Sequence, residues 1–296
     1  MYKPIYEFLL WNTCKNNCKF CHQKANKLKY SGKFPSDSEK LFPIKLARNF
    51  LETHDLEQGS HILLMGGELF DSVLPAETEN EFLSLASYIA EGMRQNRYGF
   101  MYFNTNLLYE DLTLLKKYLD TFKGLEDRIK FTTSYDIEYR FKSKEDRALV
   151  QKNMMYISAH YPNCVRIANC IMTDKAINYF KEHNFIQYHS DFLYDFGFDI
   201  HLIPYITLVP EQASSRQDVL KLLVDVEHYQ PGFLKQYVID ASYLQTRNLY
   251  EFNGTELKYA TSKISDCGHY ENFRRVYKDS TRCFACDCEQ LLSMNV

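Results

Sequence analysis

Cys14, Cys18 and Cys21 follow the apolar run Ile5 to Trp11 in the spacing CxxxCxxC. Thiolates are soft ligands for iron and zinc, and a four-iron cube is ordinarily closed by four of them. Three leave one metal open, and catalytic metal sites keep such a position for a small molecule where structural sites do not. His22 offers a fourth ligand for a zinc site of three Cys and one His, although adjacent residues in a short loop seldom both reach one tetrahedral ion. A disulfide framework fits less well, because the chain has 9 Cys, an odd number, and begins without the basic, apolar and small-residue succession of a secretory signal. No apolar stretch reaches the roughly 18 residues of a membrane span. The expected compartment is a reducing cytoplasm, where clustered cysteines read as metal ligands or catalytic groups.

The elements that must position these cysteines are legible as alternation. Apolar runs at Ile5 to Trp11, His61 to Met65, Gly99 to Asn104, Ile129 to Ser134, Val165 to Met172 and within Phe198 to Val209 read as six strands. Helix-period segments lie between them at Pro43 to His54, Glu77 to Arg97, Tyr109 to Phe122, Lys144 to His160 and Asp174 to His183. Repeated βα units predict an α/β fold on a parallel sheet. Six units are too few for a closed eight-stranded barrel, but right-handed crossovers would curve them into a partial (βα)6, TIM-like one. After Pro210 the rhythm changes to a helix around Arg216 to His228, then to Leu249 to Ala260 with the hairpin signal Asn253-Gly254. The domain expectation is a barrel over 1–210 and a small Cys-rich extension over 211–296.

Composition is that of an ordinary globular chain, 45% apolar and 25% charged. The 23 Tyr and 21 Phe read as core rather than as a base-stacking surface, and a net charge of -3 argues against a polyanion-seeking protein, so no nucleic-acid partner is expected. Locally the balance differs. Lys15, Lys19, Lys24, Lys27, Lys29 and Lys33 fall in a stretch, Phe8 to Ser36, with no Asp or Glu. It reads as a solvated loop or as a positive approach favouring an anionic substrate.

Further polar motifs end the later strands. Met65-Gly66-Gly67-Glu68 closes the second, Asn104-Thr105-Asn106 the third, and Ser134-Tyr135-Asp136, with Arg140 at helical reach, the fourth. Alone, Gly-Gly marks a strand-to-loop turn with close backbone approach, and Asn and Thr are turn and cap residues. In company with CxxxCxxC they resemble the radical S-adenosylmethionine (radical SAM) enzymes. The resemblance implies a partial (βα)6 barrel in which Cys14, Cys18 and Cys21 bind a [4Fe-4S] cluster whose open iron is chelated by SAM. The cluster's electron would cleave SAM to a 5'-deoxyadenosyl radical that takes a hydrogen from the substrate. It further implies that Gly66, Gly67 and Glu68 meet the amino group of SAM, with Leu69 standing where the family usually has Pro, and that Phe20 lies beside the adenine. Ser134, Asp136 and Arg140 would hold the ribose hydroxyls and the methionine carboxylate, Asn169 would add a polar contact to the same SAM, Asn104 would touch SAM or substrate, and Ile203 and Pro204 would lie against the adenine. The Asn104 turn is similar to the TNG-like element of peptide-modifying members, Leu107 standing where Gly is common.

Cys164 and Cys170, in or beside the apolar fifth strand, read as core. Cys267, Cys283, Cys286 and Cys288 supply four thiolates, enough for an auxiliary Fe-S cluster or a zinc ion, and look like a shortened relative of the twitch and SPASM extensions of that family. His269 is a substitute ligand or a solvent or core histidine. The function expected is radical modification of a peptide or protein. The alternative is a nucleotide, nucleobase or other phosphate-bearing metabolite, and the remote alternative a non-catalytic iron-sulfur electron-transfer protein. An external donor such as flavodoxin or ferredoxin is the implied partner.

Overall fold

The computed structural model describes residues 3–11, 13, 14, 16, 18, 40–71, 73–204, 210–232, 248–252, 257–260 and 279. Phe20, Cys21, the lysines from Lys15 to Lys33, His22, the hairpin turn at Asn253-Gly254, His269 and the four C-terminal cysteines lie outside them.

The chain is an α/β fold in which six parallel strands alternate with helices. In order they are β1 (Ile5–Trp11), α1 (Leu41–Thr53), β2 (Ser60–Gly66), α2 (Ala76–Arg94), β3 (Tyr98–Asn104), α3 (Thr113–Asp120), β4 (Ile129–Ser134), α4 (Lys144–His160), β5 (Val165–Met172), α5 (Asp174–Glu182), α6 (Phe185–Phe196) and β6 (Asp199–Pro204). Then come α7 (Arg216–Tyr229) and a strand pair, β7 (Asn248–Phe252) and β8 (Leu257–Ala260). The sheet order is β6-β5-β4-β3-β2-β1-β7-β8. Among the described residues β6 and β8 are its two ends and it does not close, in keeping with a partial barrel. The anticipated hairpin strands are antiparallel, Phe252 opposite Leu257, and β7 also runs parallel to β1, so the hairpin extends the barrel sheet.

Helix ends differ from the sequence reading where side chains or turns intervene. α2 stops at Arg94 because Asn96 takes φ +58°, and α3 starts at Thr113 because residues 105–112 are drawn into the loop described below. The sequence reading omitted α6. Its N-cap Asn184 accepts from Gln187 N, and its C-cap Gly197 sits at φ +67°, a conformation that glycine adopts without steric cost.

The two faces of the sheet are unlike. Phe8, Leu64, Phe103, Phe131, Ala168 and Leu202 have no exposure and form one core with the helices. Cys164 and Cys170 belong to that core, as expected. On the opposite face, alternate residues such as Tyr102, Asn104, Lys130, Thr132, Ser134, Asn169 and His201 are half-buried, so this face mixes polar groups with apolar Leu63 and Ile167. A fully covered parallel sheet reads apolar on both sides. Here one side is a wall of half-buried polar groups.

At the far end of that wall His61 Nδ1 accepts from Phe100 N at 3.0 Å, and burial with nearby Lys130 and Lys3 pushes the imidazole down to about 4. A Cβ on Gly99 would stand 2.5 Å from His61 Nδ1 and 2.6 Å from Gly59 O. Gly99→Ala is therefore expected to cost about 2 kcal/mol through overpacking, read as a lowered urea midpoint with unchanged m.

No helix among the described residues is long and apolar enough to cross a membrane.

Candidate functional site

The loops leaving the C-terminal ends of β1 to β5 converge, as they must in a parallel sheet, on one edge. Cys14 and Cys18 arrive on the loop after β1. Main-chain bonds dock that loop on the next: Gly67 N donates to Trp11 O at 2.8 Å and Glu68 N to Thr13 O at 2.9 Å. The indole Nε1 of Trp11 donates in return to Glu68 O at 2.8 Å. Gly66 is required by this approach, since a Cβ there would lie 3.0 Å from Trp11 O and 2.5 Å from a methyl of Leu69.

Glu68 turns inward. It is 2% exposed, and its Oε1 accepts from Thr105 Oγ1 at 2.8 Å and Phe70 N at 3.2 Å while Oε2 accepts from Asn106 N at 2.5 Å. Burial, the largest cause, raises this carboxyl to about 7, although the Asn106, Thr105 and Phe70 bonds pull it down and Asp71 pushes it up. The acid thus ties the β2 loop to the β3 loop. Thr105 Oγ1 continues the chain to Tyr109 Oη at 2.8 Å, and burial holds that phenol well above its usual range.

The same tie aims Asn106, whose Nδ2 donates to Cys14 Sγ at 3.6 Å. Burial pushes the Cys14 thiol up to about 11, helped by the charges of Glu68, Asp71 and Cys18 and opposed by the Asn16 backbone. Cys18 meets the β4 loop instead. Arg140 Nη1 donates to Cys18 Sγ at 3.7 Å, its Nε is paired with Asp136 Oδ2, and Asp136 Oδ1 accepts from Ile171 N at 2.6 Å. Cys18 packs with Ala213, Tyr139 and Ile171.

Of the residues expected to act together, Cys14 and Glu68 are joined through Asn106, and Cys18 joins Asp136 and Arg140. Asn104, Ser134 and Asn169 stand on the half-buried polar face of the sheet, Ser134 in register with Asn169 and Asn104 with Thr132. Ile203 is half-buried there, in register with Ile171, and Pro204 in register with Met172. Among the described residues no three His, Cys, Asp or Glu gather as a metal-binding group; Cys21, the third of its triplet, lies outside them.

The sequence reading passed over Asn153, which is 3% exposed on α4 and donates through Nδ2 to Leu107 O at 2.9 Å and Tyr109 O at 2.8 Å. The signal was there: a polar residue interrupts the apolar stripe Val150, Met154, Ile157. Its bonds hold the loop in which Leu107, fully buried, takes φ +55°. Asn153→Ala would leave two enclosed carbonyls unpaired, and a loss of about 2 kcal/mol in chemical denaturation is the expected result.

Neither a scan against protein-family models nor a search of curated proteins finds a match to this chain. The fit of a cofactor must be judged on the residues themselves. Among the described residues the Thr13 hydroxyl, both polar atoms of the Asn16 amide and the Ser214 hydroxyl are buried with no hydrogen-bond partner. Thr13 and Asn16 flank Cys14, and Ser214 follows Ala213, which touches Cys18. Native proteins rarely leave such groups unsatisfied. Soft sulfurs that already accept hydrogen bonds, set among unspent polar groups, fit a thiolate-held cluster with a polar small molecule beside it.

Proposed function

We propose that this chain is a radical SAM enzyme of a reducing cytoplasm that acts on a peptide or protein. One observation carries the reading: the loops bearing Cys14 and Cys18, Gly66-Gly67-Glu68, Asn106, and Asp136 with Arg140 are hydrogen-bonded into one constellation at the C-terminal edge of an open parallel sheet. A protein that merely stores or passes electrons has no need of a sheet face of half-buried polar groups beside its cysteines.

When bound, a cluster on Cys14, Cys18 and Cys21 would supply the electron that cleaves SAM to a hydrogen-abstracting radical. The chain's own residues do the rest. Asn106 and Arg140 hold the two described sulfurs, the main chain at Gly66 and Gly67 offers a close backbone surface, and Ser134 and Asn169 present neighbouring hydrogen-bonding groups on the wall. The peptide reading is supported by β8, which among the described residues is a terminal strand of the sheet, the kind of edge with which an extended chain pairs. Cys267, Cys283, Cys286 and Cys288 are proposed to hold an auxiliary cluster, or zinc, and a flavodoxin or ferredoxin to deliver electrons.

The test is iron, sulfide and zinc per chain after anaerobic reconstitution, with 5'-deoxyadenosine assayed after reduction in the presence of SAM. About eight irons, or about four with one zinc, together with reductant-dependent cleavage support the proposal. Cluster binding without SAM cleavage would return the chain to the electron-transfer class.

A further inference from the structure

We infer that Arg140, positioned by Asp136, holds a positive charge and a hydrogen-bond donor against the Cys18 sulfur and so sets how readily the metal centre on that sulfur accepts an electron. The inference rests on the iron-sulfur reading above.

Three features make the arrangement a built one. Asp136 has no exposure, and its Oδ1 is fixed at 2.6 Å to the main chain of β5 at Ile171, so the carboxylate is not free to follow its partner. The Arg140 side chain is 11% exposed, and with Nε spent on Asp136 its Nη1 is directed to Cys18 Sγ at 3.7 Å. Tyr139, just before it, takes φ +69°, and its hydroxyl donates to Asp174 Oδ1 at 3.1 Å. A left-handed tyrosine is sterically disfavoured and persists only where its surroundings over-determine it. Here that turn brings Tyr139 and Arg140 back onto the loop of Cys18.

The two described sulfurs are therefore served differently, Cys14 by a neutral amide and Cys18 by a guanidinium. Hydrogen bonds to sulfur and net charge are the levers by which a protein moves a cluster's potential. Uptake of an electron adds negative charge beside Arg140, so the guanidinium favours the reduced state, and its loss disfavours it. This differs from the role implied by resemblance, in which Arg140 would grip the carboxylate of SAM.

The experiment is an EPR-monitored redox titration of the reconstituted full chain and of Arg140→Gln and Arg140→Lys, without substrate, alongside SAM binding. At a fixed poise near the native midpoint, Arg140→Gln should lower the ratio of reduced to oxidised cluster about tenfold, equivalent to about 59 mV for a one-electron couple. Arg140→Lys should fall between. If Arg140→Gln unfolds because Asp136 is left buried and unpaired, the double variant D136N/R140Q removes both charges, keeps an oxygen for Ile171 N, and should shift the same way by less. An unmoved potential in variants that fold and load iron, with SAM binding weakened, overturns the inference and leaves the functional proposal standing. A native chain that loads no iron on Cys14, Cys18 and Cys21 overturns both.

Discussion

Replacing Cys14, Cys18 and Cys21 together with Ala is expected to bring reductant-dependent 5'-deoxyadenosine formation to background and to remove about four irons per chain, leaving the C-terminal metal in place. The fold should tolerate the change. Cys18 and Cys14 lie in a loop docked by main-chain bonds at Trp11 and Thr13, which the substitutions do not touch, and Arg140 keeps its pairing with Asp136. Loss of activity would thus come without a matching loss in melting temperature. The control is Cys164→Ala with Cys170→Ala. Both thiols sit in the apolar core, 5% and 0% exposed, and burial raises both above the usual thiol range. That pair should lower stability through cavities while iron content and cleavage per folded chain stay at the native level. Iron lost from the control and retained in the triple variant would assign the metal to the wrong cysteines.

The contrast between those cysteine sets shows what a sequence can carry. Local signals are strong: apolar runs located β1 to β6, and CxxxCxxC, Gly66-Gly67-Glu68 and Asp136 with Arg140 were visible as chemistry. The partners of those side chains were not, because they depend on which loops meet at the sheet edge. The motifs do not show that Thr105 and Asn106 enclose Glu68, nor that Arg140 lies beside Cys18. The docking of β7 on β1 is likewise non-local; Asn253-Gly254 marks a hairpin but says nothing of where it pairs. Other signals were legible and unused. Phe50–His54, Tyr156–His160 and Tyr179–His183 each stack at about 4 Å, with the histidine Nδ1 at the carbonyl four residues back. At the C-terminal ends of α1, α4 and α5, where the last carbonyls lack helical partners, an aromatic thus stands four residues before a histidine, although Phe185 and His189 share the spacing at the start of α6.

Glu68 should make the apoprotein lose stability as pH rises. Its carboxyl has an ordinary value of 4.5 and is raised to about 7 by burial, against the pull of its three donors. Between those values the unfolded chain has released the proton and the native chain retains it. The stabilisation is fully present below about 4.5 and is lost as pH climbs through about 7, a gap worth about 3 kcal/mol at most. Glu68→Gln removes the titration and keeps one acceptor oxygen, while its amide nitrogen opposes either Asn106 N or the Thr105 and Phe70 donors. It should therefore be about 1 kcal/mol less stable than the native chain at pH 5 and equal to it or better at pH 8. Glu68→Ala strips the acceptor from Asn106 N, Thr105 Oγ1 and Phe70 N at once and opens a cavity between the two loops, costing about 4 kcal/mol at pH 5 and about 2 kcal/mol at pH 8, where the native chain has lost its own share. Urea titrations of the three proteins at pH 5 and pH 8 decide the matter, the difference between native and Gln chains cancelling groups that titrate elsewhere. If the native chain gains on the Gln variant as pH rises, its three hydrogen bonds outweigh burial, and Glu68 stands in the fold as a carboxylate rather than as an acid.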